Sequence, residues 1–211
     1  MAEHSGLGKV LNQKYRLVAE LGRGAMGVVY RAEQLDVEGQ VQRLVALKTI
    51  TAELSANPDF ARRFLQEIRL TMTLNHPHIV TVYDSGRDET SQLYFTMELV
   101  QGQTLRELLR RKGALSVERT LHIAGHICEA LFEAHSLTEP IVHRDLKPEN
   151  IFLAQRQGKD WVKIGDFGIA KVLGDHTGGL THTGMSPGTP RYMAPEQCLG
   201  KAVDSRTISM P

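Results

Sequence analysis

Cysteine, an excess of either charge and long apolar runs are scarce in this chain, and each shortage excludes something. The two cysteines, Cys128 and Cys198, stand in neither metal-like nor C-x-x-C spacing. That argues against a disulfide framework or a cysteine-built zinc site, and reduced thiols are expected. Basic and acidic residues nearly cancel, 25 against 24, for a formal net charge of +1. No non-specific polyanion, nucleic-acid or membrane-surface binding is expected from such a balance. The opening residues MAEHSGLGKVLNQKYRL lack an apolar core of signal length, and no later stretch approaches a membrane span. A cytoplasmic protein without a membrane segment is the resulting expectation. His76-Pro77-His78 has no cysteine or third ligand near it in sequence, so metal binding there is not expected.

What is present suits a folded protein. In 211 residues, 41% are hydrophobic and 23% charged, enough to bury one large domain or two small lobes. The most informative stretch is IVHRDLKPENIFL, Ile141 to Leu153, in which a strand-like apolar pair and a second apolar run enclose His143, Arg144, Asp145, Lys147, Glu149 and Asn150. So many polar groups between buried flanks carry a large desolvation cost unless they have a task. The segment reads as a site loop.

Before it, the chain reads as strands and tight turns. Tyr15 to Val18 leads into Leu21-Gly22-Arg23-Gly24-Ala25-Met26-Gly27-Val28-Val29-Tyr30, an apolar strand, a glycine-punctuated turn and another strand. Glycines at 22, 24 and 27 let backbone pass close over a ligand, and exposed amides there suit phosphate oxygens. A plain turn has the same composition. A dinucleotide-binding unit would need the third glycine to open a helix, whereas Gly27 enters a strand, so a glycine-rich hairpin is favoured. Asp36 to Gln42 reads as a hairpin loop, and Leu44 to Ile50 as a strand interrupted by Lys48. That lysine either snorkels at a sheet edge or is held inward for an anion. Asn57-Pro58 starts a helix reaching about Leu74, with Phe60, Phe64 and Ile68 on one stripe and Glu67 beside it. Glu67 is either solvated or placed to reach the strand lysine. Strands are expected over Ile79–Tyr83 and Leu93–Met97, and the glycine and polarity after Met97 mark a connector.

The remainder reads as helical. Thr104 caps a helix over Leu105 to Lys112, and Ser116 caps a longer one through His135 whose packed stripe is Leu121, Ala124, Cys128, Leu131 and His135. After the site loop come a polar turn, Gln155 to Asp160, and a short strand, Trp161 to Ile164. Gly165-Asp166-Phe167-Gly168 places an acid between glycines, a common turn composition but also a carboxylate positioned for a cation. Leu173 to Thr189 lacks periodicity and is expected to be a long mobile segment, which Pro190 to Glu196 closes.

Gly22 to Val29 fits G-x-G-x-x-G-x-V, Val45 to Lys48 reads V-A-L-K, His143 to Asn150 reads H-R-D-L-K-P-E-N, Asp166 to Gly168 reads D-F-G, and Ala194 to Glu196 reads A-P-E. In that order the chain resembles a eukaryotic-like protein kinase of the bacterial serine/threonine type over roughly residues 15 to 200. The resemblance implies an α+β, bilobal fold. Residues 15–100 would form an antiparallel-sheet lobe with one helix, and residues 101–211 a mainly helical lobe that is incomplete.

It further implies ATP and Mg²⁺. Gly22, Arg23, Gly24 and Gly27 would cover the phosphates, and Lys48 would contact them and pair with Glu67. Val29 and Ala46 would lie above adenine and Phe152 below it. Met97 would guard the back of that pocket, and the backbone of Glu98 and Val100 would meet the adenine edge. Asp145 would orient the substrate hydroxyl, Lys147 would approach the transferring phosphoryl group, and Asn150 and Asp166 would hold Mg²⁺. Lys147 and Gly188-Thr189-Pro190 imply transfer to serine or threonine of a protein substrate, with Thr189 in a substrate-facing loop. Arg144 implies control by phosphorylation, with Thr181, Thr183 and Ser186 as candidate autophosphorylation sites.

The family's later helices have no counterpart in Gly200 to Pro211, and an open underside of the Leu121 to Leu131 helix is the resulting expectation. A non-catalytic nucleotide-binding or interaction fragment is therefore the alternative to an active kinase. A Rossmann-type oxidoreductase is disfavoured because it leaves H-R-D-L-K-P-E-N unexplained.

Overall fold

Alternating apolar residues and a tight glycine turn build the first half. The computed structural model describes residues 6–167, 190–199, 201 and 203–207. Strands β1 (Val10–Leu11), β2 (Tyr15–Gly24), β3 (Gly27–Leu35), β4 (Val41–Ile50), β5 (Val82–Arg87) and β6 (Leu93–Glu98) form an antiparallel sheet in the order β1-β2-β3-β4-β6-β5. Period-two alternation puts Tyr15, Leu17, Tyr30, Ala32, Val45 and Leu47 into one core with Tyr94. Two helices accompany these strands, α1 (Ala52–Ala56) and α2 (Pro58–Thr71).

Helix α2 begins where its sequence says it should, with the Asn57 side chain accepting from Phe60 N at 3.0 Å. Its stripe is buried, Phe60 stacking on Phe64 and Phe64 meeting Phe95, each pair with ring centroids 6.0 Å apart. It stops at Thr71, short of the expected Leu74. The expectation of a single helix is corrected by α1. That five-residue segment is too short to show a period, and the buried Ser55 secures it, its Oγ accepting from Leu93 N at 3.0 Å. The strand expected over Ile79–Tyr83 is also displaced. Ile79 forms only an isolated bridge to Ile164, and pairing with β6 runs over Val82–Arg87.

The chain divides into two units, one running to Ile68 and resuming over Val82–Leu99, the other comprising Arg69–Thr81 and the described residues from Val100 onward. The second unit holds β7 (Gly102–Thr104), α3 (Leu105–Lys112), α4 (Val117–His135), β8 (Ile151–Arg156), β9 (Lys159–Ile164) and α5 (Pro195–Cys198). A full capping box at Thr104 and Glu107 starts α3, and the Ser116 side chain caps α4. The polar turn expected over Gln155 to Asp160 is instead a hairpin in which β8 and β9 pair through Arg156↔Lys159. Ile141 and Val142 are not a strand.

The α4 stripe needs correction as well. The helix buries Ile123, Ala130, Leu131 and Ala134, while Leu121, Ala124 and Cys128 are exposed with Val117 and Phe132. Apolar residues occur on more than one face of α4, and the expected stripe mixes the exposed Leu121, Ala124 and Cys128 with the buried Leu131.

Candidate active site

Strand register in the first unit places its candidate residues. Gly24 pairs with Gly27 around a two-residue turn, Gly22 with Val29, and Val29 in turn with Lys48. A Cβ on Gly27, whose φ is +150°, would lie 1.8 Å from the Thr49 carbonyl oxygen, so this position accepts only glycine. A Cβ on Gly22 or Gly24 would meet nothing within 4 Å among the described residues. Arg23, exposed at the tip, donates to Glu20 at 2.8 Å. Two residues apart on β4, Ala46 and Lys48 share a face; Ala46 opposes Met97, and Lys48 opposes Phe95 with Nζ 5.9 Å from the ring centroid. Glu67 is buried on α2, in the same unit as Lys48.

In the second unit the H-R-D-L-K-P-E-N residues form a loop that ends in a 3-10 turn, Pro148–Asn150. Lys147 Nζ donates to Asp145 Oδ2 at 2.7 Å, and Asn150 Nδ2 donates to the Asp145 carbonyl at 2.8 Å and to Oδ2 at 3.3 Å. Beneath them His143 is buried with both ring nitrogens engaged. Nε2 donates to the Gly165 carbonyl at 2.8 Å, and Nδ1 accepts from Asp145 N at 3.3 Å. That pattern requires neutral imidazole, and burial pushes the His143 pKa down from 6.5 in agreement.

Gly165 N returns a bond to the Asn150 carbonyl at 2.9 Å. The loop carrying Asp145 and the segment carrying Asp166 are therefore bonded together rather than merely adjacent. Phe167 packs on the His143 ring with centroids 4.6 Å apart, and the Thr71 hydroxyl donates to its carbonyl at 3.3 Å. Phe152 lies against Gly165 so closely that a Cβ there would stand 2.9 Å from its ring.

Two non-glycine residues of this region adopt left-handed backbone, Arg144 at φ 64° and Asp166 at φ 58°. Such conformations cost on the order of 1 kcal/mol or more and persist where neighbours over-determine them. For Arg144 the neighbour is Gln197 of α5, whose Nε2 donates to the Arg144 carbonyl at 2.7 Å. For Asp166 it is the pair of bonds at Gly165.

The structure thus brings Asp145, Lys147 and Asn150 into direct contact and ties them through Gly165 to Asp166. Gly168, Thr181, Thr183, Ser186 and Thr189 lie outside the described residues. Three participants had no role in the sequence reading, namely His143 as the internal strut, Gln197 and Arg106. Arg106 Nε donates to Glu149 at 2.7 Å and its Nη2 to the Tyr192 hydroxyl at 2.5 Å. Only His143 had a local signal, its place beside Arg144 and Asp145.

A glycine hairpin followed by a lysine-bearing strand in one unit, and a strapped Asp-Lys-Asn loop in the other, define a two-unit α+β fold. The family profile described as the protein kinase domain matches residues 15–209, and the chain belongs to the protein kinase family. It is 39% identical over 204 residues to the serine/threonine-protein kinase pkn3 of Myxococcus xanthus, covering 95% of this chain and 36% of that protein. It is 38% identical to the serine/threonine-protein kinase PknB of Mycobacterium tuberculosis, covering 93% of this chain and 30% of that one. The crystal structure of the Mycobacterium tuberculosis PknI kinase domain matches with a TM-score of 0.70 at 31% identity, covering 95% of this chain and 71% of that domain. The chain therefore spans about a third of the length of these curated relatives.

Proposed function

We propose that the chain transfers the γ-phosphoryl group of ATP to a serine or threonine hydroxyl of a protein substrate. The observation that carries this reading is the fixation of Asp145. Its carboxylate is held by Lys147 and Asn150, and the loop behind it is braced on Gly165 through His143. A carboxylate so held is suited to orient a hydroxyl and accept its proton as the oxygen attacks phosphorus. The bond from the γ-phosphorus to the β-phosphate oxygen breaks, and ADP leaves. Lys147, beside the carboxylate, supplies positive charge where the phosphoryl oxygens accumulate it.

In the first unit, Gly22, Arg23, Gly24 and Gly27 would lie over the phosphates, Lys48 with Glu67 would meet them, Val29 and Ala46 would lie above adenine, and Met97 would guard the back of its pocket. The open space at Gly22 and Gly24 fits a loop kept bare for close approach. Glu98 and Val100 would contribute backbone groups and Phe152 an apolar floor.

The donor set suits magnesium. Asn150 uses its amide nitrogen on Asp145 and so presents its carbonyl oxygen, Asp166 is a carboxylate, and both His143 nitrogens are engaged, which leaves an oxygen-only site. Mg²⁺ bound there would neutralise phosphate charge.

Thr181, Thr183 and Ser186 are the proposed autophosphorylation sites, and a consumer of ATP belongs in the cytoplasm. Among the described residues no helix is long and apolar enough to cross a membrane. A second reading, a nucleotide-binding or interaction module without turnover, is favoured by the solvent-exposed apolar stripe Val117, Leu121 and Phe132 on α4. Incubation with Mg²⁺-ATP followed by mass spectrometry separates the two. Phosphate incorporation that Asp145→Asn abolishes supports the kinase, and nucleotide binding without incorporation supports the module.

A further inference from the structure

A hollow of about 650 Å³ opens in the second unit between the end of α3, the start of α4 and the β8–β9 hairpin. Its floor is built from charges that cancel. Arg119 Nε donates to Asp160 Oδ2 at 2.6 Å and its Nη2 to Oδ1 at 2.9 Å, Gln155 Nε2 donates to Oδ1 at 2.8 Å, and His122 Nε2 donates to the Asp160 carbonyl at 2.8 Å. Asp160 is buried, and the Arg119 guanidinium holds its carboxyl below the usual range. These bonds tie α4 to both strands of the hairpin, which Gln157 and Gly158 close with left-handed backbone at φ 51° and 76°. The walls are therefore set before anything binds. The rim is different. Arg111 and Lys112 from the last turn of α3 and Lys159 from the hairpin are exposed and line the hollow, against one exposed acid, Glu118. The Arg111 guanidinium donates to a neutral partner, Gln103, at 3.0 Å, and neither lysine forms an ion pair with a described residue. Three cations thus face one acid on this rim, in a chain whose net charge is only +1. Cations in the last turn of a helix ordinarily offset its dipole. That accounts for Arg111 and Lys112 but not for Lys159, which stands on a strand and lines the same space.

We propose that this hollow is a docking site for an acidic peptide segment of a partner protein, whose carboxylates meet Lys112 and Lys159. Its volume lies within the roughly 300–1,000 Å³ of ligand sites, room for a few side chains and not for a folded domain. A concave site between three elements does not fit a flat membrane surface. Glu118 on the rim and Asp160 beneath it oppose the dense phosphates of a nucleic acid, whereas a peptide can set single carboxylates beside the lysines and keep neutral residues opposite Glu118. None of the lining residues belongs to the Asp145 loop or to the residues proposed to bind ATP, so docking is separate from the proposed phosphoryl transfer and does not depend on it. Two part-exposed charge pairs together contribute about tenfold in affinity.

The test uses a short fluorescein-labelled peptide of glutamate, alanine and glycine and its counterpart with glutamine in place of every glutamate, with binding measured by anisotropy at low ionic strength. The wild-type chain is expected to bind the acidic peptide about tenfold more tightly than the counterpart, and Lys112→Gln/Lys159→Gln to bind the two within about twofold. Arg62→Gln/Arg206→Gln removes the same charge from exposed residues outside the hollow and should keep the tenfold preference. Glu118→Gln leaves every cation in place and should tighten the acidic peptide by about threefold, a gain that a misfolded chain cannot imitate. Several results would overturn the proposal: equal binding of the two peptides by the wild type, a preference that survives without Lys112 and Lys159, an equal loss in the Arg62/Arg206 variant, or no gain in Glu118→Gln. Tighter binding of oligothymidylate or of phosphatidylserine vesicles through the same two lysines would overturn it as well, because the occupant would then be a nucleic acid or a membrane.

Discussion

Lys147 holds Asp145 by a 2.7 Å bond to Oδ2, the oxygen that Asn150 also approaches at 3.3 Å. Oδ2 is thereby fixed, and in the kinase reading proposed above the carboxylate would turn its other oxygen toward an incoming hydroxyl. Asp145→Asn is expected to lower phosphoryl transfer by roughly 10²- to 10⁴-fold, the range for removing a positioned general base, and to leave ATP affinity within about twofold. In the same reading Lys48→Met would act on the other partner of the reaction, and it is expected to weaken ATP binding along with transfer. Calorimetric titration with Mg²⁺-ATP checks both, and an equal loss of ATP affinity in the two variants would contradict the assigned roles.

The glycines of the β2–β3 hairpin should separate into two kinds. Gly27→Ala puts a Cβ 1.8 Å from a backbone oxygen at a φ of +150°, and a loss of about 2–4 kcal/mol in folding stability is expected. The Cβ of Gly24→Ala would meet nothing within 4 Å among the described residues, so its cost should stay within about 1 kcal/mol while Mg²⁺-ATP affinity falls. Urea melts and nucleotide titrations of the two variants decide it. A Gly24→Ala chain that binds ATP normally would remove the ligand-approach argument.

The sequence was most legible where one local rule dominates. The glycine hairpin, the Asn57 cap, the Thr104 capping box and the Ser116 cap each follow from residues within a few positions of one another. Misreadings occur where local rules compete or are silent. Helix α1 and strand β7 are too short to carry a period, and α4 is apolar on more than one side, so the spacing of its outward residues Leu121 and Cys128 matches that of a core stripe. The candidate site divides in the same way. Asp145, Lys147 and Asn150 stand within six residues of sequence and were recognisable as a group. The Arg106 bridge joins residues 43 and 86 positions apart and exists only after folding.

Acid should loosen the second unit before the carboxylates titrate. Burial lowers the pKa of His143, of His135, of His126 beside His78 and His122, and of His76 beside His78, all from a usual value of 6.5. Around His76 and His126 the facing charges are Glu129 and Glu133, which oppose the shift, and Lys163, which adds to it at His76. A base whose folded pKa is depressed takes up its proton more readily when unfolded. The stability it contributes is complete above pH 6.5 and is lost as pH falls below that value toward the folded pKa. Denaturation midpoints measured from pH 8 to 5 should fall below about pH 6.5, and less steeply in His126→Phe. A flat profile to pH 5 would refute this.

Asp88 sets a second and more acidic boundary, in the first unit. Its Oδ1 accepts from Thr90 N at 2.9 Å, from the Thr90 hydroxyl at 2.7 Å and from Gln92 N at 2.9 Å, while Oδ2 accepts from Lys9 at 2.8 Å. Burial alone would raise its pKa, yet these donors win and hold it at about 2 against an ordinary 3.8. A depressed carboxyl contributes stability that is present above the unfolded pKa and disappears as pH falls through the folded one. Here that window runs from about pH 4 down to about 2, and the linkage amounts to roughly 2 kcal/mol. Asp88→Asn keeps the shape but cannot offer a charged acceptor to Lys9, so it should lower stability at pH 7 by about that amount. The pH dependence separates this from a packing defect. The gap between wild type and Asp88→Asn should close as pH is lowered from 4 to 2 in denaturant titrations, because both then carry a neutral side chain over the Thr90–Gln92 turn. A gap that stays constant across that interval would show that Asp88 acts through shape and not through its charge.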